Sequence, residues 1–324
     1  MPSYGWIIIG AVVLLLGGGI AVMLIMTLPI ADMVFRTQFT RPDGPAAGWT
    51  RGVCSFPDNE ENMEMHRQGM AWAEENKSAM SEVSIENEGI KLCGQYFDFG
   101  YDRAALFLAG RAEPCTYSYY FAMPYKKYGY NVLVIDNRSC GLSGDEHSYA
   151  GMKEYSDVRK WIAYLNEELG NKKVLLHGIC VGSATALRSV THPDCPECVE
   201  GLIADGLYET FYETLRTHFI ERGKPVFPVC HEVVFKIKKL TGVNVMVEGP
   251  KKDIKKYTGP LLMLHGRQDV FSLPEKAVKL FESSPSANKK LVWFDEGMHS
   301  HLKIVAPEKY DETVGEFLRR LRSE

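Results

Sequence analysis

The 324 residues carry 24% charged and 45% apolar or aromatic side chains, the balance of a packed globule, which excludes a disordered or fibrous chain. A formal net charge of −4 leaves no basic excess to neutralise phosphates and so argues against a nucleic-acid partner. Eight cysteines scattered through so long a chain lack the density of a disulfide scaffold and suit a reducing compartment.

The first element is an uncharged apolar run over residues 6–28. As a helix it reaches about 34 Å, enough to cross a hydrocarbon core of about 30 Å. The preceding MPSYG has no Lys or Arg and no small-x-small site follows, which favours a membrane anchor (residues 1–29) over a cleaved signal peptide. Arg36, Arg41 and Arg51 follow the run and no basic side chain precedes it, so the positive-inside rule places the remaining domain in the cytoplasm. Residues 30–58 mix Pro, Gly and polar residues without periodicity and are expected to be a juxtamembrane linker. The expected globular domain is 59–324.

Within it, residues 60–76 have helical spacing, with Met63, Met70 and Trp72 expected on one side. Strands are expected at 82–85, 90–97, 104–109, 132–136, 173–177, 201–204, 260–265 and 290–294. Several are continuous apolar runs, the pattern of strands buried on both faces. Helical stretches are expected near 117–128, 154–168, 181–190, 274–283 and 307–321. The alternation predicts an α/β domain with a mostly parallel sheet flanked by helices. Residues 207–258 hold helical pieces and no strand, and are expected to form a small helical cap over the strand ends.

The chemistry-bearing stretch is KVLLHGICVGSATALRSV, where an apolar strand runs into Gly178, Ile179, Cys180, Val181 and Gly182 and then a helix. This is the nucleophile elbow G-x-S-x-G with cysteine in the serine position, its glycines required because the tight turn leaves no room for side chains. Ser183 lies one residue past the second glycine, inside the helix. Asp269 follows a strand as His265-Gly266-x-x-Asp269, and His299 lies in GMH, with Asp295 and His301 as local rivals. Cysteine, acid and histidine then follow in the order nucleophile, acid, base.

These motifs resemble the α/β-hydrolase superfamily, in particular its serine-aminopeptidase-like and prolyl-oligopeptidase-like small hydrolases, over about residues 70–321. Residues 136–143, DNRSCGLS, are similar to a D-x-R-G-x-G-x-S stretch with Ser139 in place of a glycine, and Leu106 to Arg111 occupy the oxyanion strand end with Ala109 where the family has histidine. The resemblance implies an acyl-group hydrolase acting on an ester or thioester. Its triad would be Cys180, His299 and Asp269, its oxyanion donors the amides of Val181 and Arg111, and it would need no metal or organic cofactor. The substrate is expected to be a small acyl compound, lipophilic if the tether keeps the site near lipid. Dienelactone hydrolases and polyhydroxyalkanoate synthases both carry cysteine in this elbow, so an acyltransferase with the same triad remains an alternative. A third reading is a catalytically silent membrane-bound binding or redox-sensing protein. Cys195 and Cys198 form a single C-x-x-C in a loop, which supplies too few ligands for zinc. The aromatic residues Phe211, Tyr212, Phe219, Phe227 and Phe235 suit either an acyl pocket or the cap's own core, and the lysines at 236–256 a solvated face or anionic headgroups.

Overall fold

The computed structural model describes residues 3–44 and 48–323. The apolar runs form eight strands: β1 (Met80–Asn87), β2 (Ile90–Phe97), β3 (Arg103–Leu108), β4 (Asn131–Ile135), β5 (Lys173–Ile179), β6 (Val199–Asp205), β7 (Leu261–Gly266) and β8 (Lys289–Phe294). They make one sheet in the order β1-β2-β4-β3-β5-β6-β7-β8, with β1 and β2 antiparallel and β3 to β8 parallel. β3, β4, β5 and β7 are buried almost throughout because helices cover both faces, which is why their sequences do not alternate. All eight expected strands are present: β2, β3, β4 and β7 keep their expected lengths, the last three shifted by one residue, and β1, β5, β6 and β8 run one to four residues longer than expected.

The helices, in chain order, are α1 (Ser3–Phe39), α2 (Glu60–Glu75), α3 (Tyr119–Ala122), α4 (Tyr155–Glu167), α5 (Val181–Val190), α6 (Phe211–Glu221), α7 (Val229–Thr241), α8 (Pro250–Asp253), α9 (Pro274–Ser283), α10 (Leu302–Val305) and α11 (Pro307–Ser323). Between β6 and β7 the described chain is helical or irregular, with α6 and α7 its two longer elements. Asn59 caps α2 by accepting from Asn62 N at 2.9 Å, and Thr210 caps α6 by accepting from Glu213 N at 3.3 Å.

Three local expectations are corrected. The segment read as a linker over 30–58 begins as helix: α1 continues without a break to Phe39, and residues 45–47 lie outside the described residues. The reason is burial, since Ala31 and Phe39 are enclosed by the domain and supply packing that a free linker lacks. On α2 the buried face is Asn62, Met65, Gly69, Trp72 and Ala73, whereas Met63 and Met70 point outward. Gly69 sets that register, because a Cβ there would sit 3.0 Å from Tyr120 N. Residues 117–128 are not one helix but short turns around α3, interrupted at Pro124.

Arg41 donates to the carbonyls of Gly141 (2.8 Å) and Ser143 (3.3 Å), and Arg51 pairs with Asp136 (2.7 Å) and Glu82 (2.9 Å). Two of the three arginines that bias orientation by charge are therefore committed to the fold. Asp136 also accepts from Cys115 N at 2.8 Å and Leu142 N at 2.9 Å, tying the loop after β3 to the loop after β4. Ser139, standing where the resembled pattern has glycine, adopts φ +65°.

Candidate active site

β5 ends at Ile179 and α5 begins at Val181, so the entire reversal falls on Cys180, whose φ of 55° and ψ of −117° lie outside the ordinary L-residue regions. Such a conformation costs about 1–3 kcal/mol and persists only where the surroundings impose it. They do so through the two glycines: a Cβ on Gly178 would overlap Ser183 N, and one on Gly182 would overlap Leu108 O and lie 2.7 Å from Ala109 O. The end of β3 is thereby pressed against the start of α5. A Cβ on Gly110 would lie 3.6 Å from Cys180 Cβ, which puts the Ala109-Gly110-Arg111 turn beside the sulfur-bearing residue.

The loop after β7 carries Asp269 and the loop after β8 carries His299. His299 Nδ1 hydrogen-bonds Asp269 Oδ2 at 2.7 Å, while Asp269 Oδ1 accepts from the amides of Phe271 (2.9 Å) and Ser272 (2.8 Å). The other ring nitrogen, Nε2, is buried and closes no hydrogen bond of ordinary geometry, yet the ring lies near enough to the Cys180 side chain to be influenced by it. Burial works against a charged imidazole here, but the Asp269 carboxylate and the Cys180 sulfur outweigh it and hold the ring's pKa well above its ordinary value. Burial likewise pushes the Asp269 carboxyl up, and the His299 charge and hydrogen bonds bring it below the usual carboxylate range. Gly206 leaves room for the ring, since a Cβ there would stand 3.0 Å from His299 Cε1.

The pair has a signature in stability. A lowered Asp269 contributes above its unfolded pKa of about 3.9 and fades as pH falls through the folded value; a raised His299 contributes below its unfolded pKa of about 6.5 and fades as pH rises through the folded one. The melting-temperature difference between the parent and Asp269→Asn is therefore expected to be widest between about pH 4 and 6.5, narrowing on either side. Differential scanning fluorimetry across pH checks it; a difference that is flat or widest at alkaline pH rejects the coupling.

The rivals are engaged elsewhere. Ser183 Oγ is buried and donates to the carbonyls of Gly178 (2.6 Å) and Asp205 (2.8 Å). His301 bonds Glu61 (2.6 Å) and Asn62 (2.9 Å), and Asp295 is exposed and paired with Arg267 at 2.9 Å. Val181 is the first residue of α5, where amides have no intrahelical acceptor. The Arg111 guanidinium leans over the Phe39 ring at 5.8 Å and donates to Gln38 O at 2.9 Å, so the end of α1 reaches the rim of the site.

Two buried carboxyls here carry no sequence motif. Glu113 accepts from Gly110 N at 2.9 Å, and burial pushes it up to about 7. Asp205, at the end of β6, is pushed up to about 7, chiefly by burial, and accepts from Tyr310 Oη at 2.8 Å. Tyr310 in turn bonds His177 (3.1 Å), and His177 bonds Tyr125 (2.7 Å), a buried polar chain behind the elbow. Cys195 and Cys198 are half-buried thiols, and no group of three or more His, Cys, Asp or Glu among the described residues is arranged to hold a metal ion.

The alpha/beta hydrolase fold family matches residues 106–223. An uncharacterised protein of Bacillus subtilis, YqkD, is 27% identical over 192 residues, 59% of this chain and 62% of its own length. An uncharacterised membrane protein of Saccharomyces cerevisiae is 25% identical over 196 residues, 60% of this chain and 62% of that one. The chain thus spans less than two thirds of the length of these curated relatives. Among solved structures, the esterase Pf2001 of Pyrococcus furiosus superposes with a TM-score of 0.63 at 22% identity, covering 76% of this chain and 95% of the esterase. With its strand order, its glycine-bracketed elbow and these likenesses, the chain has the α/β-hydrolase fold and is similar to that family over residues 106–223.

Proposed function

We propose that the protein is a membrane-tethered acyl-group hydrolase that cleaves esters or thioesters through a thioester on Cys180. The observation that carries the reading is the His299 ring, fixed by Asp269 through Nδ1 at 2.7 Å and left with a buried, uncommitted Nε2 beside the cysteine. A ring held charged by its carboxylate partner favours a thiolate as neighbour, the reactive form of cysteine. The thiolate attacks the acyl carbon and a C–S bond forms. The amides of Val181 and Arg111 stabilise the oxyanion, each donor contributing about 3 kcal/mol in comparable sites. As the intermediate collapses, the C–O or C–S bond to the leaving group breaks and His299 delivers its proton to that group. Water then attacks the thioester, giving up a proton to His299; the C–S bond breaks, the acid leaves, and the thiolate–imidazolium pair is restored.

Tethering is supported by α1, whose apolar run is exposed over most of its length, and by the yeast relative, which is named a membrane protein. The test is a panel of esters and thioesters given to the full chain in detergent, with and without amine acceptors. Free acid released in the absence of acceptor, and lost in Cys180→Ala, is the expected result. Product formed only with an acceptor assigns acyl transfer instead. A thiol that reacts with peroxide while no substrate turns over makes the protein a sensor.

A further inference from the structure

At the end of α1's apolar run, the helix meets the cap. Thr27 Oγ1 donates to Glu232 Oε1 at 2.8 Å and Lys236 Nζ pairs with Asp32 Oδ1 at 2.6 Å, so two polar cross-links clamp α7 onto α1. The inner face of α7 is core, with Val229, Cys230, Val233 and Ile237 buried. Its outer side is not: Phe235 is 68% exposed and Phe227, just before the helix, is 56% exposed. Together with Leu24 and Leu28 of α1 they line a groove of about 320 Å³ edged by Lys236 and Lys239.

Helix geometry sets the depth of that groove. Counting from Trp6 at about 1.5 Å per residue, Leu24 lies about 27 Å along α1 and Leu28 about 33 Å, which brackets a hydrocarbon core of about 30 Å. The first charges after the run, Asp32 and Arg36, come one to two turns later. Phe227 and Phe235 are therefore held where acyl chains give way to headgroups. Large exposed aromatic side chains on a packed helix are costly in water and favourable at that boundary, and a neighbouring lysine can extend its stem along the apolar surface to reach phosphate oxygens.

We propose that the α1–α7 groove is an interfacial docking site for bilayer phospholipid, with Phe227 and Phe235 immersed at the acyl–headgroup boundary and Lys239 at the phosphate level. The proposal rests on α1 spanning a bilayer and is independent of the chemistry at Cys180. The cap is thereby seated on the membrane, and since α6 follows from the same cap, Phe211 contacting Phe39 edge-on at 5.5 Å, the seat is continuous with the rim of the site.

The experiment compares the full chain with Phe235→Trp and, separately, Phe227→Trp, each reconstituted in phosphatidylcholine vesicles. The reading is the tryptophan emission that each variant adds over the parent. Lipids brominated near the carbonyl end of the acyl chain are expected to remove about half or more of that increment, with aqueous iodide removing little. An increment quenched by iodide instead overturns the proposal by placing the face in water. An increment quenched by neither overturns it by placing a protein, such as a second copy of this chain, over the groove. The parent supplies the control through Trp6 in the apolar run: if its emission is untouched by brominated lipid, the span itself fails and the docking site with it.

Discussion

Replacing Cys180 by alanine is expected to abolish labelling by iodoacetamide at mildly acidic pH and to lower acyl turnover by about 10⁴-fold or more, the scale seen when a covalent nucleophile is deleted. Selectivity comes from the contrast among the eight cysteines. Burial pushes the thiols of Cys93, Cys115, Cys140 and Cys198 above their ordinary value, Cys195 to about 11 and Cys230 to about 12, so none of these offers appreciable thiolate below neutrality. Cys180 sits against an imidazole whose own charge is stabilised by a carboxylate, whereas half-buried Cys54 lines a pocket with His66, whose pKa burial holds below its ordinary value. His299→Ala should therefore lose the acidic-pH labelling while keeping the sulfur. Cys180→Ser is not expected to restore turnover, with a loss of about 10²-fold or more, because a ring held in its charged form is a poor base for a hydroxyl. Peptide mapping of the labelled chain locates the adduct; equal labelling of several cysteines, unchanged in His299→Ala, rejects the proposed pair.

Gly182→Ala is expected to be the most damaging single-methyl change. The added carbon meets backbone on every side, Leu108 O and Leu108 C at the end of β3 and Ala109 O, rather than a side chain that could rotate away. Overpacking of this kind costs about 1–3 kcal/mol even where side chains yield, so about 3 kcal/mol or more is expected here. At roughly 2–4 °C per kcal/mol for a domain of this size, the melting temperature falls by about 6–12 °C. Since β3 must move outward to admit the methyl, the Arg111 amide moves with it, and iodoacetamide labelling of Cys180 should persist better than acyl turnover. Thermal unfolding in detergent, run beside Gly5→Ala at a position with open space around it, checks the prediction; equal melting temperatures for the two variants reject it.

Much of the architecture was readable because burial on both faces writes continuous apolar runs, and β3, β4, β5 and β7 have no exposed residue past their first position to break them. The elbow was readable for a related reason: a turn compressed between β5 and α5 admits only glycine at 178 and 182, and glycine spacing survives in the primary sequence. Element edges were less legible. The end of α1 looked like a linker because Asp32, Arg36, Thr37 and Gln38 break its apolar run, yet Ala31 and Phe39 are buried by residues far along the chain. On α2, Met63 and Met70 were as apolar as Met65, and only the approach of Tyr119 and Tyr120 to Gly69 decides which side faces inward.

The sequence by itself determined the fold, the uncharged apolar run that opens the first helix, and the order in which cysteine, aspartate and histidine follow their strands, because each is a local pattern of burial or turn sterics. Only the tertiary structure decided that Asp269 Oδ2 meets His299 Nδ1, that Glu113 and Asp205 lie unpatterned beside them, and that α7 is clamped to α1 with its aromatic face outward. Those contacts join residues 30 to more than 200 positions apart. No local propensity encodes such distances; they arise when the sheet brings its strand ends to one edge and burial fixes the charges that meet there.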